Sequence, residues 1–194
     1  MGWCVMEGNV KILMEELKNI SELMLDLAYS SILFENKEIA EEVLLLYEKM
    51  EELEEKIYMH LFAASRGRKS ERLISVMDVV ECAKTVGSAA KQLSESVIQG
   101  KKLHSVIKEA LKESEESIVK LIVEENSYLS NKKIGDLKIR TNTGVNVIAI
   151  KSGDKWIFDP DKNTNILPGD IIIGVGTSEG CEKLKVMAKS SEKI

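Results

Sequence analysis

The sequence predicts an α+β protein of two domains: an antiparallel helical bundle over residues 1–117 and a small α+β module over residues 118–194. The main observation is a change of hydrophobic period near residue 118. Before it, apolar residues recur every three or four positions, the spacing of one face of an α-helix. After it, they gather in short β-branched runs, Val119–Val123, Val145–Ile150 and Ile171–Val175, which read as strands. Charge divides at the same place. The first 118 residues hold 15 Lys and Arg against 22 Asp and Glu, whereas the remainder hold 12 against 10, so the bundle is the acidic part of a chain whose net charge is −5.

The first helix is expected from about Val10 to Phe34, with the stripe Leu13, Leu17, Ile20, Met24, Leu27, Ser31 and Phe34. A second follows from Lys37 to Ala64, with Asn36 as its N-cap. So short a connection makes the two helices antiparallel neighbours. Residues 65–69 break the pattern, Ser70 caps a third helix, and Gly100 ends it. A shorter fourth helix is expected from Leu103 to about Ser117. Val79, Cys82, Val86 and Leu93 widen the apolar face of the third helix beyond the stripe that two partners usually cover. Its small residues, Ala83, Gly87, Ser88, Ala89 and Ala90, allow close approach of another helix. This face predicts pairing with a second copy, a homodimer. Cys82 reads as a small core residue.

In the module, the expected order begins with a strand at Ile118–Glu125 and a short helix capped by Asn131 and ending at Leu137. Val145–Lys151 is a buried strand, Ser152-Gly153-Asp154 a hairpin turn, and Lys155–Asp159 the returning strand. Leu167-Pro168-Gly169-Asp170 is a turn before the strand Ile171–Val175, and Ser178 caps a helix through Met187. The tail from Lys189 is polar.

Composition excludes several classes of function. An acidic bundle is a poor partner for nucleic acid, whose binding depends on neutralising phosphates. Apolar stretches are broken by charge well short of the roughly 18 residues of a spanning helix, so no direct membrane insertion is expected. Met1–Val10 lacks the pattern of a signal peptide, and the chain reads as soluble and cytoplasmic. Cys4, Cys82 and Cys181 are far apart and only His60 and His104 could assist them, which argues against structural zinc. No nucleophile, acid and base stand in a recognisable signature, so no enzymatic activity is expected.

Three features carry candidate chemistry. Glu22 and Asp26 stand four apart on one helical face, where like charges repel mildly and a cation would relieve them. Lys18, one turn earlier, offers the plainer remedy, and a solvated acidic face is the competing reading. Two carboxylates give too few ligands for a tight site, so a weakly bound divalent cation would need Glu81 or another subunit. The basic cluster Arg66, Arg68, Lys69 and Arg72 could meet phosphate or an anionic headgroup, or simply face water. Gly174-Val175-Gly176 follows a strand and precedes a helix, but lacks the third glycine and the βαβ setting of a phosphate cradle.

Residues 12–100 resemble one repeat of the PhoU family, the three-helix unit of phosphate-uptake regulators. The resemblance rests on Glu22-Leu-Met-Leu-Asp26, Glu51-Glu-Leu-Glu-Glu-Lys-Ile57, and Ala63-Ala-Ser-Arg-Gly67 leading into Val79-Val-Glu-Cys-Ala83. It implies metal binding at E-x-x-x-D motifs. The first is intact, but the second has Thr85 where the aspartate is expected.

The module resembles the RCK C-terminal, or TrkA-C, domain. The matches are Ser127-Tyr-Leu-Ser-Asn-Lys-Lys-Ile-Gly-Asp-Leu137, Gly144-Val-Asn-Val-Ile-Ala-Ile-Lys151, Asp159-Pro160 and Leu167-Pro-Gly-Asp-Ile-Ile-Ile173. This resemblance implies dimerisation around a small-ligand cleft that in several regulators takes cyclic di-AMP. The family's contacts fall on Ile134, Arg140 and Asn146, and Pro160 supplies a second apolar wall. An arginine fork suits phosphate, and an asparagine suits a base edge. Each residue also has an ordinary reading: core for Ile134, surface for Arg140 and strand end for Asn146. The nucleotide-binding RCK N-terminal domain is missing, so sensing of NAD or ATP is not expected. Together the two resemblances imply a regulatory subunit or ligand sensor acting in trans on an integral-membrane cation transporter or channel, with potassium the expected ion. The alternative is a phosphate-signalling or metal-binding PhoU-like protein.

Overall fold

In the computed structural model, the described residues are 2–65, 71–101, 106, 109 and 116–189. The chain divides into two compact units, Met1–Lys102 and Leu103–Ile194. The first contains three long helices, α1 (Gly2–Phe34), α2 (Lys37–Ser65) and α3 (Glu71–Ile98). The Ser70 cap, the basic cluster at 66–72 and the terminal tail fall on residues or side chains outside those described. Of the expected fourth helix, Val106 and Glu109 are helical, Glu116 and Ser117 belong instead to the following strand, and the rest lies outside the described residues.

The turn between α1 and α2 forms as its sequence predicts. Glu35 takes a left-handed φ of 49°, and the Asn36 side chain accepts a hydrogen bond from the Ile39 N–H at 3.2 Å. Leu17, Met24, Leu27, Ile39, Met50 and Ile57 are fully buried between the helices. The buried serines of α1 satisfy themselves by back-bonding. The Ser30 hydroxyl donates to the Asp26 carbonyl and the Ser31 hydroxyl to the Ala28 carbonyl, each at 2.7 Å. A polar seam joins α2 to α3: Tyr47 and Ser88 share a hydrogen bond of 3.2 Å, Lys84 pairs with Glu54 at 2.8 Å, and Tyr58 donates to Glu81 at 2.8 Å. Gly87 lies against Met50 and Met24, and a Cβ there would overlap the Met50 sulfur.

Only part of the predicted α3 face is internal. Val80, Gly87 and Ala90 are buried, but Val79 and Val86 are exposed. Cys82 is exposed as well, not a core residue. Three helices converge on the side of α3 marked by Val80, Gly87 and Ser94, and the flank carrying Cys82 points away from both partners.

The second unit is built on an antiparallel four-stranded sheet in the order β1-β6-β3-β4. Its strands are β1 (Glu116–Ile122), β3 (Asn146–Ser152), β4 (Lys155–Phe158) and β6 (Ile171–Thr177). A separate two-stranded pair joins β2 (Lys132–Lys133) to β5 (Asn165–Ile166). Two short helices, α4 (Ile134–Leu137) and α5 (Ile139–Thr143), precede β3, and α6 (Ser178–Lys189) closes the domain. Val119, Leu121, Val147, Ile150 and Ile172 pack with Leu137, Ile139, Leu184 and Met187 in one core. A bulge in β3 between Val147 and Ala149 lets both Val147 and Ile150 reach it.

Asn131 does not cap a helix. It takes a left-handed φ of 59°, and its N–H donates to the Ile166 carbonyl at 2.8 Å. Lys132 and Lys133 pair with β5, and helix begins only at Ile134. Lys138, with φ 46°, then separates α4 from α5, a helical turn the sequence pattern did not disclose. The Gly169-Asp170 turn has a clear cause. Gly169 adopts φ 86°, and the Asp170 carboxylate accepts the Leu167 N–H at 2.8 Å.

Candidate ligand site

The sequence places the candidate residues on two segments, and the backbone organises each. Ile134 opens α4 and is half-buried against the core. Its N–H donates to the Thr164 carbonyl at 3.0 Å, and the next N–H, from Gly135, donates to the Lys162 carbonyl at 2.9 Å. A Cβ on Gly135 would stand 2.8 Å from that Lys162 oxygen, so glycine permits the approach. The loop carrying Pro160 is thereby fixed over the start of α4.

The loop is also ordered from within. Asp159 turns with φ 46°, and its N–H donates to the Ile148 carbonyl at 3.0 Å. The Asp161 carboxylate accepts the Asn163 N–H at 2.8 Å and the Thr164 hydroxyl at 3.2 Å. These bonds, the Asn163 N–H first, hold its carboxyl below the ordinary range. Pro160, half-buried, and Ile134 thus belong to one backbone-linked unit. Beside them the Lys132 ammonium lies 3.6 Å from the centre of the Tyr128 ring.

Arg140 and Asn146 stand at the two ends of one tight turn. Arg140 is exposed on α5, and its carbonyl accepts the Gly144 N–H at 2.8 Å. Gly144 adopts φ 75°, and Asn146, also exposed, begins β3 opposite Val175. A guanidinium can pair with a phosphate, and a carboxamide can pair with a base edge.

Sequence reasoning passed over the residues that shape this turn. The Thr143 hydroxyl is buried, donates to the Ile139 carbonyl at 2.7 Å and accepts the Val145 N–H at 3.1 Å. Gly174 and Gly176 pack against it from β6. A Cβ on Gly174 would lie 2.6 Å from Val145 Cγ1, and one on Gly176 would lie 2.9 Å from the Gly144 carbonyl oxygen. Both glycines are therefore required by packing, not by a phosphate. The available signal was the pair of glycines at alternate positions of a strand, which marks close backbone approach.

In the bundle, Glu22 pairs with Lys18 at 2.8 Å. Asp26 is half-buried on the same helix. Glu81 already accepts the Tyr58 hydroxyl, and its backbone carbonyl accepts the Thr85 hydroxyl at 2.9 Å. Among the described residues, no group of three or more His, Cys, Asp or Glu side chains could hold a metal ion. Glu22, Asp26 and Glu81 are not brought together as such a group.

The described chain is thus a three-helix bundle followed by an α+β domain with an exposed Arg140–Asn146 turn. The comparisons agree with this. The PhoU domain family matches residues 14–97 and the TrkA-C domain family residues 118–188. The chain thus carries a PhoU domain followed by a TrkA-C domain, and over part of its length it is similar in sequence to potassium channel proteins.

Potassium channel protein 1 of Methanocaldococcus jannaschii is 44% identical over 71 residues, 37% of this chain and 21% of that protein. The chain therefore spans about a fifth of that relative's length. Solved structures match as well, two of them being complexes with the same ligand. The RCK_C domain dimer of S. agalactiae BusR in complex with c-di-AMP is 30% identical, with 37% of this chain and 95% of that one covered and a TM-score of 0.36. The RCK C domain of the potassium transport protein KtrA, in complex with cyclic diadenosine monophosphate, is 36% identical, with 42% and 93% covered and a TM-score of 0.35. No helix among the described residues is long and apolar enough to cross a membrane.

Proposed function

We propose that this protein is a regulatory subunit of a membrane cation transporter or channel, with potassium as the ion. In this reading it acts as a homodimer whose TrkA-C domains bind cyclic di-AMP between them. The observation that carries the reading is the Arg140–Asn146 turn, which presents an exposed guanidinium and an exposed carboxamide on one short stretch of backbone. In this reading they serve as phosphate and base-edge ligands, and the half-buried Ile134 and Pro160 supply apolar surface. The match of residues 118–188 to the TrkA-C domain supports it.

A two-fold axis between copies presents each contact twice, which suits a ligand that is itself symmetric. Bound ligand biases the arrangement of the two copies, and signals to the transporter, to the extent that its affinity differs between arrangements. The roles of Arg140, Asn146, Ile134 and Pro160 are part of the proposal. Its test is calorimetric titration of cyclic di-AMP into the wild type and Arg140→Ala. Saturable binding that the substitution weakens at least tenfold is expected. Absence of binding to the wild type, or equal affinity in the variant, rejects the reading and leaves the module as a dimerisation and docking element. The alternative, phosphate signalling or metal binding through the bundle, draws on the PhoU match at residues 14–97.

A further inference from the structure

The turn that presents Arg140 and Asn146 is built from groups that cannot themselves touch a ligand. Thr143 is 7% exposed, and its side chain joins the last turn of α5 to Val145, the residue before β3. Its hydroxyl serves as donor to Ile139 and acceptor from Val145 at once, so both ends of the turn are referred to one atom. On its other side the turn rests on helix α6. A Cβ on Gly180 would fall on the Thr143 carbonyl oxygen and stand 3.2 Å from Val145 Cγ2. Gly180 is itself tied to the end of β6, because its N–H donates to the Thr177 hydroxyl at 3.2 Å. The backbone of the turn, the end of β6 and the first turn of α6 are thus in contact without intervening side-chain slack. Packed interiors move as units when no such slack exists.

We propose that Thr143 and Gly180 are positioning residues for the segment Arg140–Asn146, and that they couple this segment to helix α6. The inference rests on the reading of that segment as the ligand site. Thr143 fixes the separation of the Arg140 and Asn146 side chains. Gly180 passes any displacement of the turn to α6, whose outer side carries exposed Glu179, Glu182 and Val186. A ligand that draws Arg140 and Asn146 together would shift the first turn of α6, an output remote from the ligand itself.

The test compares the full chain with Thr143→Val, Thr143→Ser, Gly180→Ala and the control Leu121→Ala. Leu121 is buried in the same core on β1, opposite Ile172 and farther along the sheet from the turn. Valine keeps the shape of threonine but removes both hydrogen bonds, whereas serine keeps them. Cyclic di-AMP should bind about tenfold more weakly to Thr143→Val, because such sites tolerate only about half an ångström of displacement. Thr143→Ser and the destabilised Leu121→Ala should bind as the wild type does. Wild-type affinity in Thr143→Val overturns the proposal.

Amide hydrogen exchange supplies an arm that needs no ligand. Thr143→Val should speed exchange at residues 144–146 and at Gly180 and Cys181, leaving β1 unchanged. Gly180→Ala, where it folds, should speed exchange at residues 140–146. Unchanged exchange at 144–146 in Thr143→Val overturns the positioning role, and a change confined to those amides overturns the coupling. Failure of the wild type to bind cyclic di-AMP rejects the proposed function instead, and the exchange arm still decides the positioning and coupling.

Discussion

Asp170→Ala should destabilise the TrkA-C domain selectively, by an amount that follows from one hydrogen bond. The Asp170 side chain is 3% exposed, and its carboxylate accepts the Leu167 N–H at 2.8 Å. A hydrogen bond to a charged partner contributes roughly 1.5–3 kcal/mol net. Leu167 itself is exposed, so water can replace part of what its N–H loses, and we expect a loss of about 2 kcal/mol. The same turn holds the end of β1, through the Val123 N–H to the Asp170 carbonyl at 2.9 Å and the Gly169 N–H to the Val123 carbonyl at 2.8 Å. The loss should therefore reach the sheet.

For a domain of this size each kcal/mol moves the midpoint by roughly 4–8 °C, so the melting temperature should fall by about 8–16 °C. Trp156 lies on β4 and reports this domain alone once Trp3, the other tryptophan, is replaced by phenylalanine. Thermal melts followed by Trp156 fluorescence should show the fall for Asp170→Ala. The decrease should be smaller for Asp170→Asn, which keeps an acceptor oxygen without the charge. A midpoint for Asp170→Ala within about 2 °C of the parent would refute the reasoning.

The α2–α3 seam should make the bundle sensitive to alkali. Burial first, and the hydrogen bond to Glu81 second, push the Tyr58 phenol up to about 12, and the bond to Glu54 raises Lys84 in the same direction. The folded chain therefore holds these protons longer than the unfolded one. Stability present below the ordinary tyrosine value of 10.0 is lost as pH rises through about 12. Absorbance titration should show one late phenol, lowered only in part by Glu81→Ala because burial persists.

Val86→Arg should convert a dimer to a monomer in light scattering while leaving the helical melt nearly unchanged, because Val86 is 39% exposed within one chain. Ala90→Arg, at a fully buried position, should instead unfold the bundle. A Val86→Arg protein that stays dimeric would place the bundle outside the interface. Calorimetry with Mn²⁺ or Mg²⁺ should give only weak heats, since Glu22 is paired with Lys18 and Glu81 with Tyr58. Identical heats from the wild type and the Glu22→Ala/Asp26→Ala double variant would remove those carboxylates as ligands.

Where the sequence was legible, the determinant was local. The Asn36 cap is one hydrogen bond across three residues, and the Gly169-Asp170 turn is a positive φ plus one side-chain acceptor of the same span. Helical and strand periods needed only burial of one face, and Val43, Met50, Ile57, Ile150 and Ile172 are buried as that predicts. The misreadings share the opposite property. Lys132 and Lys133 have no strand propensity to declare. They are extended because Asn165 and Ile166, far along the chain, supply the partners. The same distant carbonyl of Ile166 claims the Asn131 N–H and turns that residue away from helix. Cys82 lies on the wide apolar face of α3, but width alone does not say which flank its neighbours cover, and they cover the other one.

The candidate ligand site divides along the same line. Arg140 and Asn146 could be named because the TrkA-C resemblance places the family's contacts on them, and their own side chains suit that chemistry. Thr143 and Gly180 could not, because Thr143 acts through backbone groups on either side of it, and Gly180 through its close approach to a carbonyl on another element. A buried hydroxyl with both its donor and acceptor used, set against a glycine that admits no Cβ, leaves the turn one well-defined conformation. The groups that orient a binding residue are therefore the ones a linear reading is least able to supply, and here they connect that turn to a helix it does not adjoin in sequence.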